Sequence, residues 1–124
     1  MTIAIISSCY NEKNNIKKLI DKINKLRQKI KINEVILIDN GSTDGTGKIL
    51  KSLCEKNSFK FLSNPNSRGY GEGFFKCIEH ATSKYLIMNH SDLQFDFDNL
   101  SLILNNTDKN KYDDIFIFPT RTNR

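Results

Sequence analysis

Hydrophobic residues recur along this chain in two alternating patterns, which are short β-branched runs and longer amphipathic stretches. The short runs predict five strands, at 3–7, 34–38, 59–62, 85–88 and 115–118. The stretches between the first four runs predict three helices, and a short fourth helix is predicted at 100–104. The run 34–38 is almost wholly apolar, as in strands that are buried on both faces of a parallel sheet.

This alternation of strand and helix decides the fold class that we expect. Right-handed crossovers between successive strands produce a mostly parallel sheet. We therefore predict an α/β domain with a Rossmann-like sheet that carries helices on both faces. In the common strand order 3-2-1-4, ligands bind at the carboxyl ends of the strands, beside the point where the order reverses.

The first amphipathic stretch, 15–30, also explains much of the basic charge. Its apolar residues follow helical spacing: Ile16, Leu19, Ile20, Ile23, Leu26 and Ile30. Lysines occupy the remaining surface: Lys17, Lys18, Lys22, Lys25 and Lys29. The formal net charge of +5 therefore indicates a solvated helix face, and the four well separated arginines do not favour a nucleic-acid partner. A mild attraction to anionic lipid or to a diphosphate stays open.

Length and composition limit the architecture further. We expect one domain over residues 1–124, because this length supplies material for a single core. Neither a membrane span nor a secretory signal is predicted, so we expect a cytoplasmic protein, with the inner membrane face as an open alternative. The three cysteines lack metal-site spacing, and we expect buried thiols at Cys9, Cys54 and Cys77.

Polar segments follow three of the predicted strands. They are Ser8 to Glu12, Asp39 to Asp44 and Asn89 to Gln94. Carboxylates in these segments can accept charge-assisted hydrogen bonds from a base edge or from ribose hydroxyls. The joint placement of the three segments at strand ends favours a ligand site.

Each segment taken alone can be explained by a local structural role, without a ligand. Asp44 is predicted to cap the following helix, because Asp-Gly-Thr before an amphipathic run is an ordinary helix start. Asp92 would also cap a helix, and Tyr10-Asn11-Glu12 is evenly balanced between a turn and a site. Asp39 has the weakest local explanation, because an acidic group gains little locally at the end of an apolar strand.

Four ordered motifs make the hypothesis specific. They are CYNE from Cys9, VILIDNGSTDGT from Val35, NSRGYGEGF from Asn66 and ATSKYLIMNHSDLQ from Ala81. Together they resemble the signatures of family 2 glycosyltransferases, over almost the whole chain. The glycine-rich segment and the D-L-Q ending are most similar to polyprenyl-phosphate sugar transferases such as dolichyl-phosphate mannose synthase.

The resemblance implies a GT-A nucleotide-binding domain whose donor is a UDP- or GDP-linked sugar. It implies that Tyr10, Glu12 and Asp39 hold the base and ribose. Gly69 and Gly71 belong to a glycine-rich entry to the third helix, where they can also let the backbone pass close to the sugar or diphosphate. Further expected donor contacts lie in the same loops: Asn11, Asn40, Ser42 and Ser91.

The resemblance also implies a divalent metal, Mg²⁺ or Mn²⁺. Asp92 matches the second acid of the family's D-x-D motif, with Gln94 as a further ligand. His90 replaces the first acid, giving H-S-D, and an imidazole suits a hard ion less well than a carboxylate. Ser8 stands where the family commonly has proline.

Family members normally continue beyond this length with the acceptor-binding half. We therefore expect a truncated donor domain in which Arg121 contacts the diphosphate and no catalytic residue is assigned. Two hypotheses stay open. One is an inverting transferase, whose acceptor could be a lipid phosphate, and the other is a non-catalytic binding module that is completed by a partner chain.

Two other α/β classes fit less well. The segment Gly69 to Phe74 lacks the last glycine of a dinucleotide fingerprint and does not follow the first strand. A phosphoacceptor receiver domain would need paired acids after strand one and a lysine after strand five, and Tyr10-Asn11-Glu12 and Pro119-Thr120 do not supply them.

Overall fold

The computed structural model describes residues 2–90 and 116–117, with the backbone alone at residues 70, 90, 116 and 117. The elements run β1 Ile3–Cys9, α1 Ile16–Lys29, β2 Glu34–Asp39, α2 Thr46–Asn57, β3 Lys60–Ser63, α3 Tyr70–His80, β4 Tyr85–His90 and β5 Phe116–Ile117. The predicted order of three helices and five strands is confirmed within these residues. The helix predicted at 100–104 lies outside them.

One five-stranded sheet has the order β3-β2-β1-β4-β5, and each of its neighbouring pairs is parallel. The expected 3-2-1-4 order is therefore confirmed, with β5 added beside β4. Helices α1 and α2 share one core with alternate residues of the strands, and α3 shares a second core with the other face. The predicted helices on both faces are confirmed.

The central strand β1 is buried along all seven of its residues. Its neighbour β2 buries the four residues from Val35 to Ile38, as the apolar run predicted. The apolar stripe of α1 is buried or half-buried, and the three cysteines are buried and free. Burial raises the pKa of the Cys54 and Cys77 thiols to about 12, so both are neutral at physiological pH.

The first four strands all end nearer the carboxyl edge than the hydrophobic pattern predicted, β2 and β3 by one residue and β1 and β4 by two. Strand β1 continues through Ser8 and Cys9, and β4 continues through Asn89 and His90. The reason is register: Ser8 pairs with His90 on one side, and Cys9 pairs with Asp39 on the other. Backbone pairing continues through these residues because it does not depend on apolar side chains.

Helix α3 lies very close to the sheet at Gly73. A Cβ atom at this position would fall on the Ser8 hydroxyl oxygen and would lie 3.1 Å from Cγ of Asn40. Glycine is therefore required by packing at Gly73. Two residues earlier, Gly71 is open, because the nearest atom to a Cβ there would be a Phe75 ring carbon at 4.0 Å.

We expect Gly73→Ala to lower the free energy of unfolding by roughly 1–3 kcal/mol, because the added methyl overpacks the contact with Ser8. The matched variant Gly71→Ala should be neutral or stabilising by up to about 1 kcal/mol, through the higher helix propensity of alanine. Urea unfolding of both variants measures the difference. Equal stability of the two variants would contradict this packing.

Glu34 stabilises the amino edge of the sheet. One carboxylate oxygen accepts hydrogen bonds from the backbone N–H groups of Thr82 and Ser83, both at 2.7 Å, and the other contacts Lys60 Nζ at 3.0 Å. Burial alone would raise the pKa of Glu34, but the hydrogen bonds from Ser83, Lys60 and Thr82 outweigh it and lower the pKa to about 2. The ionised carboxylate thus joins β2 to the segment that begins β4.

This lowered pKa predicts a dependence of stability on pH. Because the folded pKa lies below the unfolded value of 4.5, the stabilisation is complete above pH 4.5 and is lost as pH falls toward 2. We expect Glu34→Gln to lower the free energy of unfolding by roughly 1.5–3 kcal/mol at pH 7. The variant should also lose less stability than the parent as the pH is lowered. Chemical unfolding at several pH values tests this, and parallel curves for the variant and the parent would count against it.

Candidate functional site

A cavity of about 350 Å³ opens at the carboxyl edge of the sheet. This volume lies within the range of small-molecule sites in proteins. Its walls come from three loops, which follow β1, β2 and β3. The lining residues are Tyr10, Asn40, Gly41, Pro65, Ser67 and Gly69.

The register of the paired strands brings these three loops together at the carboxyl edge. Cys9 is paired with Asp39, and Asp39 is paired with Ser63, so β1, β2 and β3 end at the same level. Gly41 touches the third loop: it has a φ of 82°, and a Cβ there would lie 3.3 Å from Cβ of Ser67. Glycine suits this position because it tolerates positive φ and leaves room for the neighbouring loop.

The expected donor residues divide into two groups. Tyr10, Asn40 and Gly69 line the cavity, and the Tyr10 side chain is 58% exposed. Asn11, Glu12, Asp39, Ser42 and Gly71 stand beside it without lining it. Gly41, Pro65 and Ser67 also line the cavity and were not among the expected residues, although their place after β2 and β3, at the same sheet edge, was a usable signal.

Asn11 and Ser42 join the first loop to the second. The backbone N–H of Asn11 donates to Ser42 Oγ at 2.9 Å, and Asn11 Oδ1 accepts from the backbone N–H of Thr43 at 2.8 Å. Asn11 adopts a φ of 49°, a conformation that asparagine tolerates better than most residues. These polar groups therefore hold the shape of the two loops.

Glu12 adds further hydrogen bonds beside the contact between the first and second loops. Its backbone N–H donates to Thr46 Oγ1 at 2.9 Å, and its carboxylate accepts from the Asn15 side chain at 2.8 Å. The Glu12 carboxylate is thus engaged at the start of α1 rather than at the cavity wall.

Asp44 bonds to the first residue of α2, but it is not the helix cap that the sequence predicted. Its carboxylate accepts hydrogen bonds from the Thr46 hydroxyl and from the Thr46 backbone N–H, the latter at 3.0 Å. The N-cap position itself is held by Gly45. The bond from the Thr46 hydroxyl is the main cause of the lowered pKa of Asp44.

The Asp39 side chain makes more local contacts than the sequence indicated. Its Oδ1 accepts from the backbone N–H of Ser42 at 3.1 Å, and its carboxylate lies against Gly47 in the first turn of α2. The expectation that Asp39 gains little locally is therefore wrong. Its carboxylate both closes the turn after β2 and stands near the positive end of a helix.

A buried amide network underlies the cavity, and no pattern in the sequence predicted it. Asn64 Nδ2 donates to Asn40 Oδ1 and to Glu72 Oε1, both at 2.9 Å. Lys76 Nζ donates to Asn64 Oδ1 at 2.9 Å, and Asn40 Nδ2 donates to the Gly69 carbonyl at 3.2 Å. The hydrogen bond from Asn64 is the main cause of the lowered pKa of Glu72.

The predicted metal ligands fall mostly outside the described residues. The backbone of His90 ends β4 beside Ser8, at the carboxyl edge that also holds the cavity. Ser91, Asp92, Gln94 and Arg121 lie beyond the described ranges 2–90 and 116–117. Within those ranges no group of three histidine, cysteine or acidic side chains could hold a metal ion, and no helix could span a membrane.

Solved structures resemble this fold. A mannosyltransferase from Pyrobaculum calidifontis, in complex with GDP-Man and Mn²⁺, matches with a TM-score of 0.65 and 23% identity over 80% of this chain and 30% of its own. A glucosyl-3-phosphoglycerate synthase from Mycobacterium tuberculosis, in complex with Mn²⁺ and UDP, matches with a TM-score of 0.57 and 23% identity over 73% of this chain and 33% of its own. The fold is therefore of the GT-A type.

Sequence relatives point the same way. A poly-β-1,6-N-acetyl-D-glucosamine synthase from Staphylococcus aureus is 28% identical over 96 residues, which are 77% of this chain and 23% of the relative. The chain thus spans about a quarter of the length of the curated relatives that it matches.

A family model covers almost the whole chain, including the three loops around the cavity. The match runs over residues 4–124, and its family is described as glycosyl transferase family 2. The β-α order, the cavity at the carboxyl edge and this match agree, and the chain belongs to glycosyl transferase family 2.

Proposed function

We propose that this chain binds a nucleoside diphosphate sugar and serves as the donor-binding domain of a glycosyltransferase. The observation that supports this most is the cavity at the carboxyl edge of the sheet, enclosed by the loops after β1, β2 and β3. In open parallel α/β sheets, ligands bind at this edge, beside the point where the strand order reverses.

In this proposal the base lies against Tyr10. An exposed aromatic ring at the rim of a cavity offers a flat apolar surface on which a base can stack. Asp39 is the proposed acceptor of a hydrogen bond from the base or ribose, and Asn11 and Glu12 support this side by holding the first loop in place.

The diphosphate lies toward the third loop. Gly41 and Gly69 present backbone without side chains to the cavity, and Ser67 adds a hydroxyl. Gly71, Asn40, Ser42, Ser91 and Arg121 are proposed as the further contacts on this side. Arg121 supplies the positive charge that a diphosphate needs.

Asp92 and Gln94 are the proposed metal ligands, with His90 beside them. A carboxylate and an amide oxygen are hard ligands that fit Mg²⁺ or Mn²⁺. His90, which precedes them in the sequence, ends β4 at the sheet edge that holds the cavity. When bound, a divalent ion neutralises the diphosphate as the sugar leaves.

The proposed reaction is a direct displacement with inversion. The acceptor oxygen forms a bond to the anomeric carbon, while the bond from that carbon to the diphosphate oxygen breaks. The glycine-rich segment and the D-L-Q ending favour a polyprenyl phosphate as acceptor, whose oxygen is already ionised near neutral pH. The Staphylococcus aureus relative is a polysaccharide synthase by name, so a transfer assay should offer both acceptors.

A non-catalytic binding module is the second candidate. The described cavity accounts for binding of a donor alone, and the chain spans 23% of the synthase and 30% of the mannosyltransferase. In that case a partner chain supplies the acceptor-binding half. Binding without turnover would distinguish this module from the transferase.

Substitution of Asp39 tests the donor site directly. We expect Asp39→Asn to weaken binding of UDP- or GDP-sugar by about 10- to 100-fold, the effect of losing a hydrogen bond to a charged group. The amide oxygen can still accept from Ser42, so the turn after β2 should persist. Calorimetric titration with each nucleotide sugar, with and without Mn²⁺, measures the affinity.

Asp44→Asn is the matched control in the same loop, because Asp44 carries the same charge, bonds to the start of α2 and has no proposed contact with the donor. Its affinity should stay close to that of the parent. An unchanged affinity in Asp39→Asn would remove Asp39 from the site, and a parent chain that binds neither nucleotide sugar would refute the proposed function.

A further inference from the structure

We propose that Asn64 is a positioning residue that sets the shape of the donor cavity. It does so by tying the loop after β2 to the loop that precedes α3. The proposal rests on the proposed function for its ligand, but the structural coupling itself can be tested without one. Asn64 does not line the cavity, and its side chain acts through Asn40 and Gly69.

All the polar atoms of the Asn64 side chain are engaged. Nδ2 uses its two hydrogens on Asn40 Oδ1 and Glu72 Oε1, and Oδ1 accepts from Lys76 Nζ, each at 2.9 Å. The residue is only 3% exposed, so water does not compete well for these bonds. Three directional contacts therefore hold the amide in one orientation.

The network continues from Asn64 to the cavity wall. Asn40 is 5% exposed, accepts from Asn64 through Oδ1 and donates through Nδ2 to the carbonyl oxygen of Gly69 at 3.2 Å. Ser67 Oγ donates to the same carbonyl, also at 3.2 Å. Asn40, Ser67 and Gly69 all line the cavity, so one buried amide is linked to both of its sides.

Three hydrogen bonds in this network run in one direction, from Lys76 to Gly69. The Lys76 ammonium donates to Asn64, Asn64 donates to Asn40, and Asn40 donates to Gly69. Aligned hydrogen bonds polarise one another, and the positive charge at the Lys76 end strengthens the series. The Gly69 carbonyl is thereby fixed at the start of α3.

Backbone hydrogen bonds hold the network on the side of the sheet only. Asn64 N–H donates to the Asp39 carbonyl at 2.9 Å, and Asn40 N–H donates to the Cys9 carbonyl at 2.8 Å, so both asparagines are fastened to the sheet. The segment from Pro65 to Gly69 belongs to no helix or strand before α3 begins. Its position therefore depends on the bond from Asn40 to Gly69 and on the bonds that join Asn64 to Glu72 and Lys76 of α3.

The first part of the test uses no ligand. In Asn64→Ala, amide hydrogens of residues 65–72 should exchange about tenfold faster than in the parent, while those of α1 and β2 keep their rates. Lys76→Met removes only the terminal donor, keeps the half-buried stem and should give a smaller change in the same segment. Hydrogen exchange followed by mass spectrometry or NMR measures both variants.

Asn57→Ala is the matched control. Asn57 also holds a part-buried amide pair, accepting from Asn24 at 3.0 Å and donating to the Leu53 carbonyl at 2.8 Å, but it joins α1 to α2. This variant should leave exchange in residues 65–72 unchanged. It separates a local effect at the cavity from a general loss of stability.

The second part measures affinity for UDP and for GDP with Mn²⁺. Asn64→Ala should weaken binding of the nucleotide that the parent binds by about tenfold, and Asn57→Ala by less than about twofold. Faster exchange spread evenly over the whole protein, or parent-like exchange in residues 65–72, would overturn the positioning role. If the parent binds neither nucleotide, the proposed function fails, and the exchange result alone decides the role of Asn64.

Discussion

The parallel pairing of β1 with β2 and β4 is the constraint on which the rest of this structure depends. All of β1 is buried, and its residues alternate between the two cores of the domain. A slip of one residue would exchange the two faces and place the wrong side chains in each core. The register is therefore fixed, and the carboxyl ends of β1, β2, β3 and β4 lie at one edge.

The polar residues at this edge have two separable tasks. Asn11, Ser42 and Asp44 bond to neighbouring loops and to the start of α2, which defines the shape of the first two loops. Buried Asn40 and Asn64 hold the third loop against the second. A ligand site built in this way is organised before binding, which lowers the entropic cost of holding a flexible donor.

Much of the fold could be predicted because its signals are local. The β-branched runs and the apolar stripes of α1 and α3 each repeat at the period of one element, and the alternation of elements then limits the topology. Strand ends were harder to predict, because Ser8 and Asn89 extend the sheet through backbone pairing that side-chain polarity does not reveal.

The candidate site was predicted less completely, for a physical reason. Tyr10 and Asn40 lie directly after apolar strands, and their place at the edge follows from the sheet alone. The roles of Asn64, Pro65 and Ser67 depend on which loops become neighbours in space. The local bonds of Asp39 likewise depend on how the turn after β2 meets α2.

The central claim is that the cavity beside Tyr10 is a nucleotide site. Titration of ¹⁵N-labelled protein with UDP or GDP in the presence of Mg²⁺, followed by NMR, tests it most directly. We expect saturable shift changes at Tyr10, Gly41, Ser67 and Gly69, with little change along the exposed face of α1. Changes confined to α1 and α2, or no saturable change with either nucleotide, would contradict it.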